Sequence, residues 1–211
     1  MYQLYYSPGS CSMSIHVILN ELDAAVELKN VNIREGKNKA PEFLALNPRG
    51  QVPVLVDGNL ILREGASIIL YLCNKHDSAL FPHHGFEKAQ ALEWLCWANA
   101  SLHPAYSRVF WLMRNSESGV VQEKLLEAAL QDIETKWADL DAHLAGKKYV
   151  AGDVLTAPDI LLAVIANWNG YFPRPIPLGN NVERLIRAVI TRPAYQKALL
   201  AEHVEYTAVA A

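Results

Sequence analysis

Every convincing strand signal in this chain falls within its first 62 residues, and everything beyond residue 86 is written in helical periodicity. The chain therefore divides into a small α/β unit and a larger all-α unit. In the first part, Gln3 to Tyr6 reads as a strand, residues 11–22 as a helix, Val26 to Ile33 as a strand and residues 40–46 as a short helix. Val52 to Val56 and Leu60 to Leu62 flank Asp57-Gly58, a dipeptide suited to a tight hairpin turn, and Glu64 to Lys75 resumes a helical pattern. The order is βαβ-α-ββα. With half of its 211 residues hydrophobic, the chain has material for two cores.

In the second part, Leu92, Leu95, Cys96, Asn99, Leu102, His103, Tyr106, Val109, Phe110 and Met113 share one stripe, while Leu126, Leu130, Ile133, Trp137, Leu140 and Leu144 share another. Pro104 cannot donate to the Ala100 carbonyl, so a bend is expected there. "TAPDILLAVIANW" opens with Thr156 and Asp159 spaced for a variant capping box, and the run Ile160 to Ile165 is apolar nearly all round. This should be the buried central helix. "GYFPRPIPLGNN" holds three prolines and reads as a loop. Pro82 and Gly85 interrupt periodicity within "DSALFPHHGF", so the expected domains are residues 1–77 and 87–211, with a linker at 78–86.

Net charge is −3 with mixed signs throughout, which argues against a nucleic-acid partner. Cys11, Cys73 and Cys96 fit neither C-x-x-C nor a zinc spacing, and the histidines show no metal-ligand pattern, so no metal is expected. The N-terminus lacks a basic region followed by a long apolar run, and no stretch reaches about 18 uninterrupted apolar residues. These features point to a reducing cytoplasm and away from the membrane.

Candidate chemistry gathers at two helix starts, one loop and one helical face. Cys11 lies where unpaired N–H groups and the helix dipole lower a cysteine's pKa, which suits a reactive sulfur; alternatively it is a small filler beside a Ser10 N-cap. In "NPRGQVPVLV", Pro53 sits at the start of a strand either as an ordinary trans proline or after a cis bond. The cis form would leave the Val52 N–H and C=O free to hold a bound peptide's backbone. "REGAS" combines Glu64 with the free N–H groups of Gly65, Ala66 and Ser67. That set suits a ligand carrying both an ammonium and a carboxylate, or Glu64 merely complements the helix dipole. His103 shares its face with Asn99 beside the expected bend, as a pocket residue or a core histidine, and nearby aromatics could line an apolar pocket.

The βαβ-α-ββα unit with its N-P-R-G-Q-V-P loop and R-E-G-A-S helix start, followed by helices with a T-x-x-D capping box, resembles the cytosolic glutathione transferases over essentially the whole chain. "YYSPGSCSMSIHVIL" with "EWLCWANASLHPAY" is most similar to the bacterial beta class. The resemblance implies a thioredoxin-like domain with a mixed four-stranded sheet and an all-α helical-bundle domain. It also implies glutathione as co-substrate, small hydrophobic electrophiles as partners, and a homodimer. It places Cys11 and Tyr6 beside the glutathione sulfur with His103 nearby, Val52 and cis-Pro53 on the cysteinyl backbone, and Glu64 and Gly65 on the γ-glutamyl end. Two positions depart from the beta class: Ser10 stands where that class usually has alanine, and resembles the thiol-activating serine of insect delta-class enzymes. Cys96 stands seven residues before the histidine, where an asparagine is common, and Asn99 lies one turn closer. A glutathione-dependent thiol–disulfide exchange enzyme acting through Cys11, or a non-catalytic binder of hydrophobic ligands, are the alternatives.

Overall fold

The computed structural model describes residues 1–115 and 119–209; residues 116–118 and 210–211 of the expected helical domain lie outside that set. Four strands, β1 (Tyr2–Tyr6), β2 (Val26–Asn30), β3 (Val54–Asp57) and β4 (Leu60–Leu62), form one mixed sheet in the order β2-β1-β3-β4. β1 runs parallel to β2 and antiparallel to β3, and β3 is antiparallel to β4. Strand parity then sorts the side chains. Tyr2, Leu4 and Tyr6 face the core shared with α1 (Ser12–Glu21) and α3 (Gly65–Lys75). Tyr5 turns to the other face, where its ring meets Phe43 of the short α2 (Pro41–Leu46) at 5.9 Å.

Two local readings shift. β2 ends at Asn30 rather than Ile33, because Asn32 caps the following turn by accepting the Arg34 N–H at 3.0 Å. Two short 3₁₀ turns follow, separated by Gly36 at φ 73°. The hairpin loop is Gly58-Asn59 and not Asp57-Gly58, since Asp57 still pairs with Leu60 while Gly58 takes the positive φ of 58°. Asp57 is thereby free to accept the Tyr71 hydroxyl of α3 at 2.6 Å and the ammonium of Lys75.

The helical part comprises α4 (Gly85–Trp97), α5 (His103–Asn115), α6 (Val120–His143), α7 (Ala157–Ala166), α8 (Asn180–Ile190) and α9 (Pro193–Glu202). Between α4 and α5 lies a π-helical turn, Ala98–Leu102, in which the His103 N–H reaches back to the Ala98 carbonyl. It lies where Pro104 withholds a donor, at the expected bend. The wider turn also changes the stripe: Ala91, Leu95, Ala98, Leu102, Ala105, Tyr106, Val109 and Leu112 are buried, whereas Leu92, Cys96 and Met113 are exposed. α6 buries its expected Leu130, Ile133, Trp137 and Leu140, and every residue of α7 is buried.

α7 starts with the expected box. Asp159 accepts the Thr156 N–H at 2.7 Å, the Thr156 hydroxyl at 2.8 Å and the Val150 N–H at 2.9 Å. Burial nevertheless pushes its carboxyl up to about 6. The domains meet where α1 packs against α7 and α9. At the far end of α1, Arg192 donates to both carboxylate oxygens of Glu21 at 2.6 and 2.8 Å, and Asn20 donates to the Ala194 carbonyl at 3.0 Å. Among the described residues no helix is long and apolar enough to cross a membrane.

Candidate active site

A cleft of about 790 Å³ opens between the α/β and helical domains. Its α/β wall is built from backbone more than from side chains: the Ser7–Cys11 turn, the Gly50–Pro53 loop and the start of α3. The Val52–Pro53 bond is cis, so the trans alternative is set aside. The Cγ of Pro53 lies 3.8 Å from where a Cβ on Gly65 would stand, which brings the α3 start against the loop.

At the α1 start the backbone of Cys11 is already helical, and Ser10 lies just outside it. The Ser10 Oγ accepts the Ser12 N–H at 3.3 Å and shares a hydrogen bond of 2.7 Å with the Ser12 hydroxyl. The N-cap of α1 is therefore Cys11 and not Ser10, whose hydroxyl makes a short-range turn just before the helix. The Cys11 thiol donates to the Val52 carbonyl at 3.8 Å, a distance acceptable for sulfur. Burial pushes that thiol up to about 11, against the backbone N–H groups of Cys11 and Ser12, which pull it down, while Glu64 adds to the rise. Of the two readings the sequence left open for Cys11, these surroundings do not favour the one with a lowered pKa. A helix dipole supplies a fraction of a charge, and here the loss of water around the sulfur outweighs it.

The α3 start is wetter. Glu64 is exposed and pairs with Arg49 at 2.5 Å, while Gly65 forms the cleft floor beside it. Arg34 and Arg63 add positive charge to this wall; Arg34 lies over the Tyr171 ring at 4.8 Å.

The opposite wall is helical and largely aromatic. The π turn and Pro104 set His103 and Asn99 into the cleft together. The His103 ring packs 5.1 Å from Trp168, and burial lowers its pKa, so the imidazole is held neutral. Phe110, Leu161, Trp168 and Tyr171 extend the apolar surface, with Ser107 and Arg114 at its polar margin.

Tyr6 is the sequence candidate that the structure keeps out of the cleft. Strand parity sends it into the core, 6 % exposed, with its ring 6.4 Å from His16. Burial and then the charge of Glu202 raise its pKa. Ser10, Cys11, Val52, Pro53, Glu64, Gly65, Asn99 and His103 all line the one cleft. Arg34 and Arg114 carried no sequence signal, because isolated surface arginines have no distinguishing spacing. Among the described residues no group of three or more His, Cys, Asp or Glu side chains is placed to hold a metal.

A thioredoxin-like domain carrying a cis-proline loop, facing an all-helical domain across one cleft, defines the class. The family model described as the glutathione S-transferase N-terminal domain matches residues 1–74, and that of the C-terminal domain matches residues 100–193. Glutathione S-transferase 3 of Zea mays is 33% identical over 94% of this chain and 93% of its own length. The structure of a glutathione S-transferase from Xylella fastidiosa superposes with a TM-score of 0.89 at 25% identity, covering 97% of this chain and all of that one. A sphingomonad glutathione S-transferase, solved in complex with glutathione, gives a TM-score of 0.82 at 28% identity, over 96% of this chain and all of that one. The chain belongs to the glutathione S-transferase family. It is a transferase, and bacterial enzymes are among its relatives.

Proposed function

We propose that this chain conjugates glutathione to small hydrophobic electrophiles, with the thiol at the α1 start and the electrophile against the aromatic wall. The observation that carries the reading is the convergence of the Val52–Pro53 loop and two helix starts on one cleft whose opposite wall is apolar. The sphingomonad relative, complexed with glutathione, supports the choice of co-substrate. The cysteinyl backbone lies along Val52. Glu64 takes the γ-glutamyl ammonium, and the N–H groups from Gly65 onward take its carboxylate.

The reaction needs the glutathione thiol as its anion. Donors around the sulfur lower that thiol's pKa, and each unit is worth about 1.4 kcal/mol. Ser10 and the α1 N–H groups are those donors, joined by the Cys11 S–H once it turns from the Val52 carbonyl to the bound sulfur. A Cys11 thiol pushed up to about 11 keeps its proton at neutral pH, so it donates a hydrogen bond and does not itself attack. Neutral His103 stands on the helical wall to accept the proton that leaves. The glutathione sulfur then forms a bond to the electrophilic carbon, and the leaving group departs with its electron pair. The same burial of Cys11 works against the disulfide-exchange reading, which requires a thiolate there.

We place the domain boundaries at residues 1–77 and 87–211 and the enzyme in the cytoplasm. We further propose a homodimer, supported by apolar side chains left exposed on β4 and α4, Leu60 and Leu92. Rates with a chloronitrobenzene and with a mixed disulfide, in wild type and Cys11→Ala, test the assignment. Conjugation should survive within about tenfold, roughly 1.4 kcal/mol of barrier. A thousandfold loss would make Cys11 the centre of the chemistry.

A further inference from the structure

We infer that Glu202, at the end of α9, is a positioning residue for the thiol-binding turn, acting on the peptide groups of Gly9 from the other domain. The inference rests on the assignment of Ser10 and Cys11 to the thiol site. Glu202 has a side chain with 0% exposure, and its two oxygens have separate partners. Oε1 lies 2.9 Å from His16 Nδ1 on α1, and Oε2 accepts the Gly9 N–H at 3.0 Å. The Gly9 carbonyl accepts the Trp168 Nε1–H at 2.8 Å. Both polar groups of one glycine are therefore held by the helical domain, across 193 and 159 residues of sequence.

That glycine is the one residue in the turn with a left-handed backbone, φ 67°, and a Cβ there would stand 3.5 Å from Val204. Glycine is free to rotate in a way its neighbours are not, so an unheld Gly9 would let the residues after it wander. Ser10 and Cys11 are those residues. A buried carboxylate is a poor way to gain stability alone, because desolvation offsets much of its attraction. Its use here is directional. The Glu21–Arg192 pair at the far end of α1 offers the contrast, since it joins the same two domains, is partly exposed and does not touch the turn.

The test compares Glu202→Ala, Glu202→Gln, Trp168→Phe and Arg192→Ala. The first readout is peptide-resolved alkylation of Cys11 by iodoacetamide, with the exposed Cys96 as internal reference. Loosening the turn in Glu202→Ala should raise the Cys11 rate at least about threefold at unchanged Cys96 rate, because local opening frees a half-buried thiol that the held turn keeps against the Val52 carbonyl. Glu202→Gln, whose amide oxygen can still accept the Gly9 N–H, should stay within about twofold of wild type, and Trp168→Phe should move the rate in the same direction as Glu202→Ala. Arg192→Ala should lower Tm and leave the Cys11 rate alone. The second readout is the pH midpoint of conjugation kcat/KM, which should rise in Glu202→Ala and return in Glu202→Gln. Should Glu202→Ala not fold, the Trp168→Phe and Glu202→Gln pair decides. An unchanged Cys11 rate in Trp168→Phe, or Cys11 and Cys96 rates rising together, overturns the inference. The alkylation readout does not depend on activity, so wild type lacking conjugation would refute the proposed reaction while leaving the clamp to be judged separately.

Discussion

Two helix starts open onto the same cleft, and they differ in what surrounds them. At α1 the capping residue is a half-buried thiol whose pKa is pushed up to about 11; at α3 it is an exposed carboxylate paired with Arg49. Both have the same orphan N–H groups and the same dipole. The same dipole therefore stands beside two chemically different groups, and at Cys11 desolvation outweighs it. One start is suited to donating a proton-bearing contact from the cleft wall, and the other to holding a charged ligand end near solvent.

A third helix start sharpens the comparison, because α7 buries a carboxylate completely. Asp159 sits at about 6, above the ordinary 3.8, so the folded state keeps its proton longer than the unfolded chain does. This group's contribution to stability is greatest below pH of about 4, falls as pH rises to about 6, and is flat above. Asp159→Asn should remove that slope from denaturant unfolding measured across the window. Asp159→Ala should cost about 2–3 kcal/mol, since it removes the cap and leaves buried donors without a partner. Losses below about 0.5 kcal/mol would show that the box is ornamental.

The α3 start should behave oppositely. Glu64→Ala is expected to weaken glutathione binding more than tenfold, about 1.5–3 kcal/mol, while helix stability changes by only about 0.3–1 kcal/mol. Calorimetric titration with glutathione separates the two, and unchanged affinity would place the γ-glutamyl end elsewhere. Arg49→Ala should be the smallest effect. Its pair with Glu64 is exposed on both sides, and such pairs contribute roughly 0–1 kcal/mol, so Tm should barely move.

Much of this arrangement was legible in the sequence for local reasons. Apolar alternation and 3.6-residue periodicity located all four strands and the buried α7, and Pro53 at a strand start flagged the loop that turned out to hold the cis bond. The shifted end of β2 was hidden because Asn32 and Gly36 redirect a chain that strand propensity alone would extend. Tyr6 shows the limit of resemblance. The resemblance set it beside the sulfur, whereas in the structure it shares parity with Tyr2 and Leu4 and faces the core. The clamp on Gly9 had no sequence signal at all, since Glu202 and Trp168 meet it only through the packing of α1 against the helical domain. The sequence left the Cys11 thiol open for a related reason: the helix start is visible in sequence, and the desolvation of the sulfur is not.

The central claim is that Cys11 is a half-buried, proton-bearing donor and not a thiolate. Peptide-resolved alkylation of Cys11 as a function of pH, in the folded enzyme without glutathione, tests it directly. The rate should rise with a midpoint near 11, far above the ordinary cysteine value of about 8.5. A midpoint below about 8.5 would contradict the account, because it would mean that the helix start, and not the loss of water, sets the state of the sulfur.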